Sequence, residues 1–130
     1  MSQDIRWLTV AEVRALHDRA LRQDGGLPGL RDQGLLESAL QRPVNKWQYE
    51  NAGMSELAAS YAYGLAMNHP FLDGNKRVAL QSIRAFLFYN GIRFEPMEAD
   101  AVRYILRLAA GELKEDELAE WIERSSRPRE

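Results

Sequence analysis

The 130-residue sequence contains no cysteine. This absence excludes a disulfide framework, a thiolate nucleophile and any zinc or iron–sulfur site built on cysteine. A chain without cysteine suits a reducing compartment, so the cytoplasm is the expected location. The sequence has only 2 histidines, and a site that needs several imidazole ligands is therefore not expected.

Long apolar runs and an excess of one charge sign are also missing. The longest stretch without a formally charged residue, 57–72, is too short and too polar to cross a bilayer. The first residues, MSQDIRWL, lack the basic and apolar regions of a secretory signal, so no membrane association is expected. The 17 basic and 19 acidic residues nearly cancel to a net charge of -2, which argues against direct nucleic-acid binding. A site that binds an anion must therefore be formed by a few neighbouring residues and not by a basic surface of the whole protein.

The hydrophobic content of 45% and the spacing of apolar residues predict a mainly α single domain over residues 1–130, with about six helices. Thr9 and Glu12 form the pattern of a capping box, which predicts a first helix that runs to about Gln23. A second helix, about 33–42, should end before Pro43. The segment LAASYAYGLAMN is apolar on nearly every side, as expected of a helix at the centre of a bundle.

Three further helices are predicted towards the carboxyl terminus. The first covers 75–89, the second ends at Gly111 and the third begins at Asp116. Residues 92–95 predict a short strand that pairs with residues 5–8, so at most a minor two-stranded sheet is expected.

The segment 43–53, PVNKWQYENAG, has no helical period and is bounded by proline and glycine. It predicts an exposed loop or short hairpin, here called the flap. Its aromatic residues Trp47 and Tyr49 could pack on the core or, if exposed, recognise a target segment through added-strand pairing. The sequence leaves both possibilities open.

Residues 69–77, HPFLDGNKR, concentrate the groups that phosphate chemistry requires, and we call them the motif. The start of the following helix offers free N–H donors to an anion, and Gly74 allows a close approach. Asn75 adds an amide donor, Lys76 a compact charge and Arg77 a planar fork of donors.

Two further motif residues precede these phosphate-binding groups in the sequence. Asp73 can hold Mg²⁺, which is usually bound through one or two carboxylates together with phosphate oxygens. His69 carries an imidazole, the side chain that most often takes a proton from an attacking hydroxyl. The motif thus predicts a base, a metal ligand and a phosphate site within nine residues.

Each of these residues also has a purely structural interpretation. Asp73 alone could be a helix N-cap, His69 a helix-end residue, and the pair Lys76 and Arg77 a solvated helix face. The coincidence of all of them favours a functional site.

Two residues outside the motif, His17 and Arg84, also carry groups that have both a structural and a functional interpretation. His17 falls on an apolar stripe, so a buried, hydrogen-bonded histidine is expected there rather than a ligand. Arg84 lies two helical turns beyond Arg77, and it could either extend the basic surface towards the nucleotide or face water.

The motif resembles the signature of the Fic/Doc superfamily, and the chain is similar to its Doc (death on curing) branch in particular. The resemblance extends to the opening LTVAEVRALH and to the block LRDQGLLESALQRP at residues 30–43. It implies a Fido-type helical bundle. Two positions differ from HPFxDGNGRxxR, the motif of Fic enzymes that transfer AMP: Lys76 replaces the second glycine, and Leu80 stands in place of the second arginine.

The resemblance to the Doc branch implies a kinase toxin. Such a protein binds ATP in the reversed sense and transfers phosphate to a threonine of translation elongation factor Tu, which stops protein synthesis. By this resemblance His69 would activate the hydroxyl and Asp73 would position Mg²⁺. Gly74, Asn75, Lys76 and Arg77 would hold the phosphates of ATP.

The alternatives are an AMP transferase that tolerates Lys76, and a binding module that has lost activity. The sequence has no segment that matches [ST]xxxE[GN], the inhibitory pattern of many Fic proteins. The resemblance therefore implies a separate inhibitor, a Phd-type antitoxin whose disordered tail folds into a helix in a groove of the toxin.

Overall fold

The computed structural model describes Asp4–Arg129 and contains six helices and two short strands. Residues 1–3 and residue 130 lie outside the described residues, so the prediction that the first residues form no secretory signal falls partly outside them. The elements are α1 (Val10–Asp24), α2 (Gln33–Glu50), α3 (Met54–Asn68), α4 (Asn75–Tyr89), β1 (Ile92–Phe94), α5 (Glu98–Ala109), α6 (Glu115–Arg124) and β2 (Ser126–Pro128). The mainly α prediction is confirmed.

No helix of the described chain has both the length and the apolar character needed to cross a membrane.

The first helix begins as its capping residues predict. The Thr9 side chain accepts a hydrogen bond from the Glu12 N–H, and the Glu12 carboxylate accepts one from the Thr9 N–H. Val13, His17 and Ala20 form the buried stripe of α1. This stripe packs against α4, and α1 therefore reaches the turn that holds the motif.

The helix α3 lies at the centre of the bundle and packs against α2, α4, α5 and α6. Its centre allows an unusually close approach to α2, because a Cβ atom on Gly64 would lie 3.1 Å from the Ala39 Cα atom. Tyr61 is fully buried, and its hydroxyl accepts a hydrogen bond from the Leu8 N–H. Burial raises the pKa of Tyr61 to about 12. The prediction of a central helix is confirmed.

The predicted flap is wrong, because α2 continues through Pro43 to Glu50. Proline removes one hydrogen bond from a helix and normally ends or kinks it. Here the ring of Pro43 is buried, and the following turn is held by packing and by an ion pair between Lys46 and Glu115. Tertiary contacts therefore outweigh the local preference, and α2 ends instead at Asn51, which has a left-handed conformation.

The predicted partner of the first strand is also wrong. The strand β1 pairs antiparallel with β2, with Arg93 opposite Arg127, and not with residues 5–8. The N-terminal segment lies close by, but the side-chain amide of Asn90 binds both the N–H and the carbonyl of Arg6. This amide satisfies the backbone groups that a neighbouring strand would otherwise bind.

A cluster of charged and polar side chains joins α2, α3 and α6, and we call it the α2–α6 cluster (Arg42, Lys46, Ser60 and Glu115). Arg42 Nη1 donates to Ser60 Oγ at 2.9 Å, and Arg42 Nη2 lies 2.6 Å from Glu115 Oε1. Burial would raise the pKa of Glu115, but the hydrogen bond and charge of Arg42, together with Lys46, lower it on balance. The carboxylate is therefore ionised in the folded protein.

Candidate functional site

The turn between α3 and α4, residues 69–74, connects the central helix to the helix that carries the basic residues. We call it the motif turn. Both of its ends have left-handed backbone conformations, His69 with φ 48° and Gly74 with φ 77°. Glycine adopts this conformation readily, whereas a residue with a side chain does so at a cost of about 1–2 kcal/mol. His69 is therefore held in place by its surroundings.

The motif turn opens onto a surface cavity of about 480 Å³. This volume lies within the usual range for ligand sites. Grooves of similar size exist beside α6, so size alone does not identify a site. The lining distinguishes this cavity, because it combines an imidazole, a carboxylate and two cations: His69, Leu72, Asp73, Gly74, Asn75, Lys76, Arg77 and Ala109.

Asp73 is exposed and its carboxylate is held by two backbone donors. Asp73 Oδ1 accepts from the Gly74 N–H at 2.8 Å, and Oδ2 accepts from the Leu27 N–H at 3.0 Å. The hydrogen bonds from Leu27 and Gly74 lower the pKa of Asp73, and the charge of Arg77 adds to this effect. The N-cap position belongs to Gly74, so the alternative of a simple capping aspartate is wrong.

The predicted role of the Asn75 side chain as a phosphate donor needs correction. Asn75 is buried, and its amide binds the backbone of Phe71 on both sides. Asn75 Oδ1 accepts from the Phe71 N–H, and Nδ2 donates to the Phe71 carbonyl, each at 3.0 Å. The side chain therefore fixes the motif turn, and Asn75 offers its backbone N–H to an anion at the start of α4.

The two cations of the motif have different surroundings. Lys76 is exposed and lines the cavity. Arg77 is half-buried, and its Nη1 atom donates to the carbonyl oxygens of Gly25 at 2.7 Å and Ala20 at 3.3 Å. Arg77 thereby binds the carboxyl end of α1, where a cation is favourable. Part of its donor capacity is already used.

His17 is buried and hydrogen-bonded, as predicted, but it also contacts the motif. Its Nε2 atom lies 2.7 Å from the carbonyl oxygen of Asp73, and its ring stacks on Phe71 at 3.8 Å. Because a carbonyl oxygen only accepts, Nε2 carries the proton. The spacing of His17 on its apolar stripe predicted its burial, but not this contact between α1 and the motif turn.

The segment 25–32 lies beside the motif turn, and sequence reasoning missed it. Gly29 accepts from the Leu72 N–H at 3.0 Å, and the Arg31 N–H donates to the Pro70 carbonyl at 2.7 Å. Gly26 approaches closely enough that a Cβ atom there would lie 2.9 Å from Asp73 Oδ2. The glycine-rich run GGLPG at 25–29 is the signal in the sequence that could have indicated this close approach.

The structure places the remaining predicted residues away from the cavity. Trp47 and Tyr49 lie near the carboxyl end of α2, roughly 20 Å along the helix axis from Asp32 at its start. Trp47 packs against the core, whereas Tyr49 is 83% exposed. Arg84 lines a different groove, where its guanidinium lies 3.8 Å from the Glu98 carboxylate. These three residues do not join the motif.

Comparison with known proteins identifies the family of this chain. A sequence model of the Fic/DOC family matches residues 7–87, which include α1 and the complete motif. The chain belongs to the Fic/Doc family. Protein kinase doc of Escherichia phage P1 is 34% identical to this Fic/Doc chain over 123 residues, which cover 92% of the chain and 95% of that relative.

A second Fic/Doc relative, Toxin Doc of Mycolicibacterium smegmatis, is 38% identical over 71 residues, or 53% of this chain and 55% of that protein. Both relatives carry the name Doc, and they place the chain in the Doc branch of the family.

Proposed function

We propose that this Fic/Doc chain is a Doc-like toxin that transfers the γ-phosphate of ATP to a protein hydroxyl. The observation that carries this proposal is one cavity lined by an exposed imidazole, an ionised carboxylate and the cationic start of α4. The similarity to Protein kinase doc over nearly the whole chain supports phosphate transfer as the reaction.

The start of α4 is the part of the site suited to the phosphates. The first backbone N–H groups of a helix have no partner within the helix, and the helix dipole favours an anion there. Gly74 has no side chain to block the approach, and Lys76 adds an exposed positive charge. Arg77 would offset the charge that develops in transfer through the donors not bound to α1.

His69 is the proposed general base. It is exposed and lines the same cavity as residues 74–77, where the phosphates are proposed to bind. A neutral imidazole at this place can accept the proton of a target hydroxyl as the oxygen attacks the γ-phosphorus. The bond from that phosphorus to the bridging oxygen then breaks, and ADP leaves.

The residues present fit Mg²⁺ bound together with a nucleotide. Each oxygen of the ionised Asp73 carboxylate accepts one backbone hydrogen bond and keeps capacity for another ligand. Within residues 4–129 no group of three or more histidine, aspartate or glutamate side chains could hold a metal ion. Magnesium commonly binds through one carboxylate with phosphate oxygens and water, where it neutralises phosphate charge.

The proposed target is a threonine of translation elongation factor Tu, and the expected result is inhibition of translation in the cytoplasm. This part of the proposal comes from the resemblance to the Doc branch.

A Phd-type antitoxin is the proposed inhibitor, and a groove between α1 and α4 is the proposed place for it. The groove has a volume of about 380 Å³ and combines apolar with arginine side chains: Leu16, Arg19, Gln81, Arg84, Ala85, Phe88, Tyr89, Arg93 and Phe94. Such a surface suits an amphipathic helix with acidic residues. Phe88→Asp should prevent neutralisation by the antitoxin in co-expression while toxicity persists.

The reaction is tested by incubation of the pure protein with Mg²⁺, elongation factor Tu and ATP labelled at the γ- or the α-phosphate. Label on the factor only from γ-labelled ATP is the expected result. Label from the α-position would instead identify an AMP transferase. A lack of label from either ATP, on any protein of a bacterial extract, would indicate a binding module.

A further inference from the structure

Arg31 lies outside the motif but binds its first residue directly. Arg31 Nε donates to the His69 carbonyl oxygen at 2.7 Å, and Arg31 Nη2 donates to the Asn68 carbonyl oxygen at 2.8 Å. Asn68 is the last residue of α3, so these two carbonyls are among the groups that the helix itself leaves without partners. One guanidinium therefore holds two successive peptide groups.

This contact acts on a residue whose backbone conformation is unusual. His69 has a left-handed conformation, which is uncommon for a residue with a side chain. The planar guanidinium fixes the directions of its two hydrogen bonds, and the positive charge favours the carboxyl end of a helix. The orientation of the His69 backbone determines which directions its imidazole can take.

The arginine side chain is not needed to attach segment 25–32 to the motif turn. Backbone hydrogen bonds already do this, from Arg31 N–H and Asp32 N–H to the Pro70 carbonyl and from Leu72 N–H to the Gly29 carbonyl. Arg31 is also exposed, so its side chain contributes little to the core. Its distinct contribution is the pair of hydrogen bonds to residues 68 and 69.

We infer that Arg31 is a positioning residue that holds the His69 backbone in its left-handed conformation and so directs the imidazole towards the reacting hydroxyl. This inference rests on the proposed function of His69 as the base. A displacement of about 1 Å at a reacting group can lower a rate by about 100-fold, so the effect should be large for an exposed residue.

The test compares wild type, Arg31→Ala, Arg31→Lys and, as a matched control, Arg14→Ala, which removes an exposed arginine from α1. Arg31→Ala should lower kcat for phosphate transfer by about 10- to 100-fold and change KM for ATP by less than about 3-fold. The kcat of Arg31→Lys should lie between those of wild type and Arg31→Ala, because a single ammonium group cannot reproduce the two directed hydrogen bonds of the guanidinium. Arg14→Ala should match wild type.

A second measurement does not depend on activity. The ¹³Cα and ¹³Cβ chemical shifts of His69, which report its backbone conformation, should move in Arg31→Ala while those of 75–77 stay unchanged. If wild type transfers no phosphate, the proposed function fails and these shifts still decide whether Arg31 holds His69. Unchanged His69 shifts would overturn the inference, as would a kcat within 2-fold of wild type. If Arg31→Ala does not fold, Arg31→Lys is judged by the same criteria.

Discussion

The α2–α6 cluster and the motif turn both bring charged side chains together, but they use their hydrogen-bonding capacity differently. In the cluster, Glu115 is held between Arg42 and Lys46, and Arg42 also donates to Ser60. At the motif turn, Asp73 accepts from two backbone N–H groups, and Lys76 is exposed beside it. In the cluster, the charged side chains bind one another and Ser60. At the motif turn, the carboxylate of Asp73 and the ammonium group of Lys76 can still bind a ligand.

This difference separates a polar group that stabilises the fold from one that is available for chemistry. The half-buried carboxylate of Glu115 would be costly without its partners. The motif turn is instead held by side chains that bind its backbone, namely Asn75, His17 and Arg31. The backbone is fixed while the functional side chains remain accessible.

The largest effect expected at the motif turn is on activity alone. His69→Asn should lower phosphate transfer by about 100- to 10,000-fold, because it removes the proposed base. Asparagine tolerates the left-handed conformation, so the melting temperature should stay within about 2 °C of wild type. Transfer is measured with labelled ATP, and unfolding is measured by circular dichroism. Activity that persists in this variant would remove His69 from the mechanism.

The converse is expected in the α2–α6 cluster. Glu115→Gln should lower the free energy of unfolding by about 1–3 kcal/mol, because it leaves Arg42 without its charged partner. Phosphate transfer at a temperature well below the melting point should be nearly unchanged. Denaturant unfolding gives the free energy, and Glu120→Gln, an exposed change on α6, is the control.

The ion pair between Arg42 and Glu115 also predicts that stability depends on pH. The pKa of Glu115 is lower in the folded protein than its ordinary value of 4.5. The contribution of Glu115 to the free energy of unfolding is therefore complete at a pH above its ordinary pKa. It is lost as the pH falls through the lower pKa of the folded protein. The stability difference between wild type and Glu115→Gln should shrink in that acidic range, and a difference that grows there would contradict the ion pair.

A smaller effect is expected from Lys76→Gly, which changes the proposed phosphate site but leaves the base. Transfer of label from γ-labelled ATP should fall by about 10-fold, in line with loss of one charged contact. Some transfer from α-labelled ATP should appear, because the change restores the glycine of AMP-transferring Fic enzymes. The ratio of the two labels on the target is the measurement. An unchanged ratio would show that Lys76 does not select the nucleotide orientation.

Gly26→Ala tests whether the segment beside the motif turn shapes the site. Gly26 has φ 126°, and an added Cβ atom would lie 2.9 Å from both Asp73 Oδ2 and Arg77 Nη2. Activity should fall by several-fold more than in Gly29→Ala. That control has a similar φ of 122°, but its Cβ atom would meet only the end of the flexible Leu72 side chain. Equal losses in both variants would indicate backbone strain alone.

The smallest effect is expected at the end of α2 far from the site. Tyr49→Ala should change the free energy of unfolding by no more than about 0.5 kcal/mol, because the side chain is largely exposed. Phosphate transfer to the target should stay within 2-fold of wild type. A clear rise in KM for the protein target would restore Tyr49 as a docking residue.

Much of the fold follows from local sequence signals. The capping box at Thr9 and Glu12 starts α1 as predicted, and the apolar composition of α3 places it at the centre. These signals succeed because each depends on neighbours within one helix or on how apolar its faces are. Pro43 failed as a signal, because burial against other helices outweighed its local preference.

The sequence by itself determined which residues could carry the chemistry, since the motif places an imidazole, a carboxylate and cations on either side of a helix start. Only the tertiary structure decided how they are held. His17 is 56 positions from its partner Asp73 in the sequence, and Arg31 is 38 positions from its partner His69. Asn75 binds Phe71 instead of facing the cavity. The contacts of His17 and Arg31 depend on which elements meet in space, and the periodicity of a single helix carries no information about that.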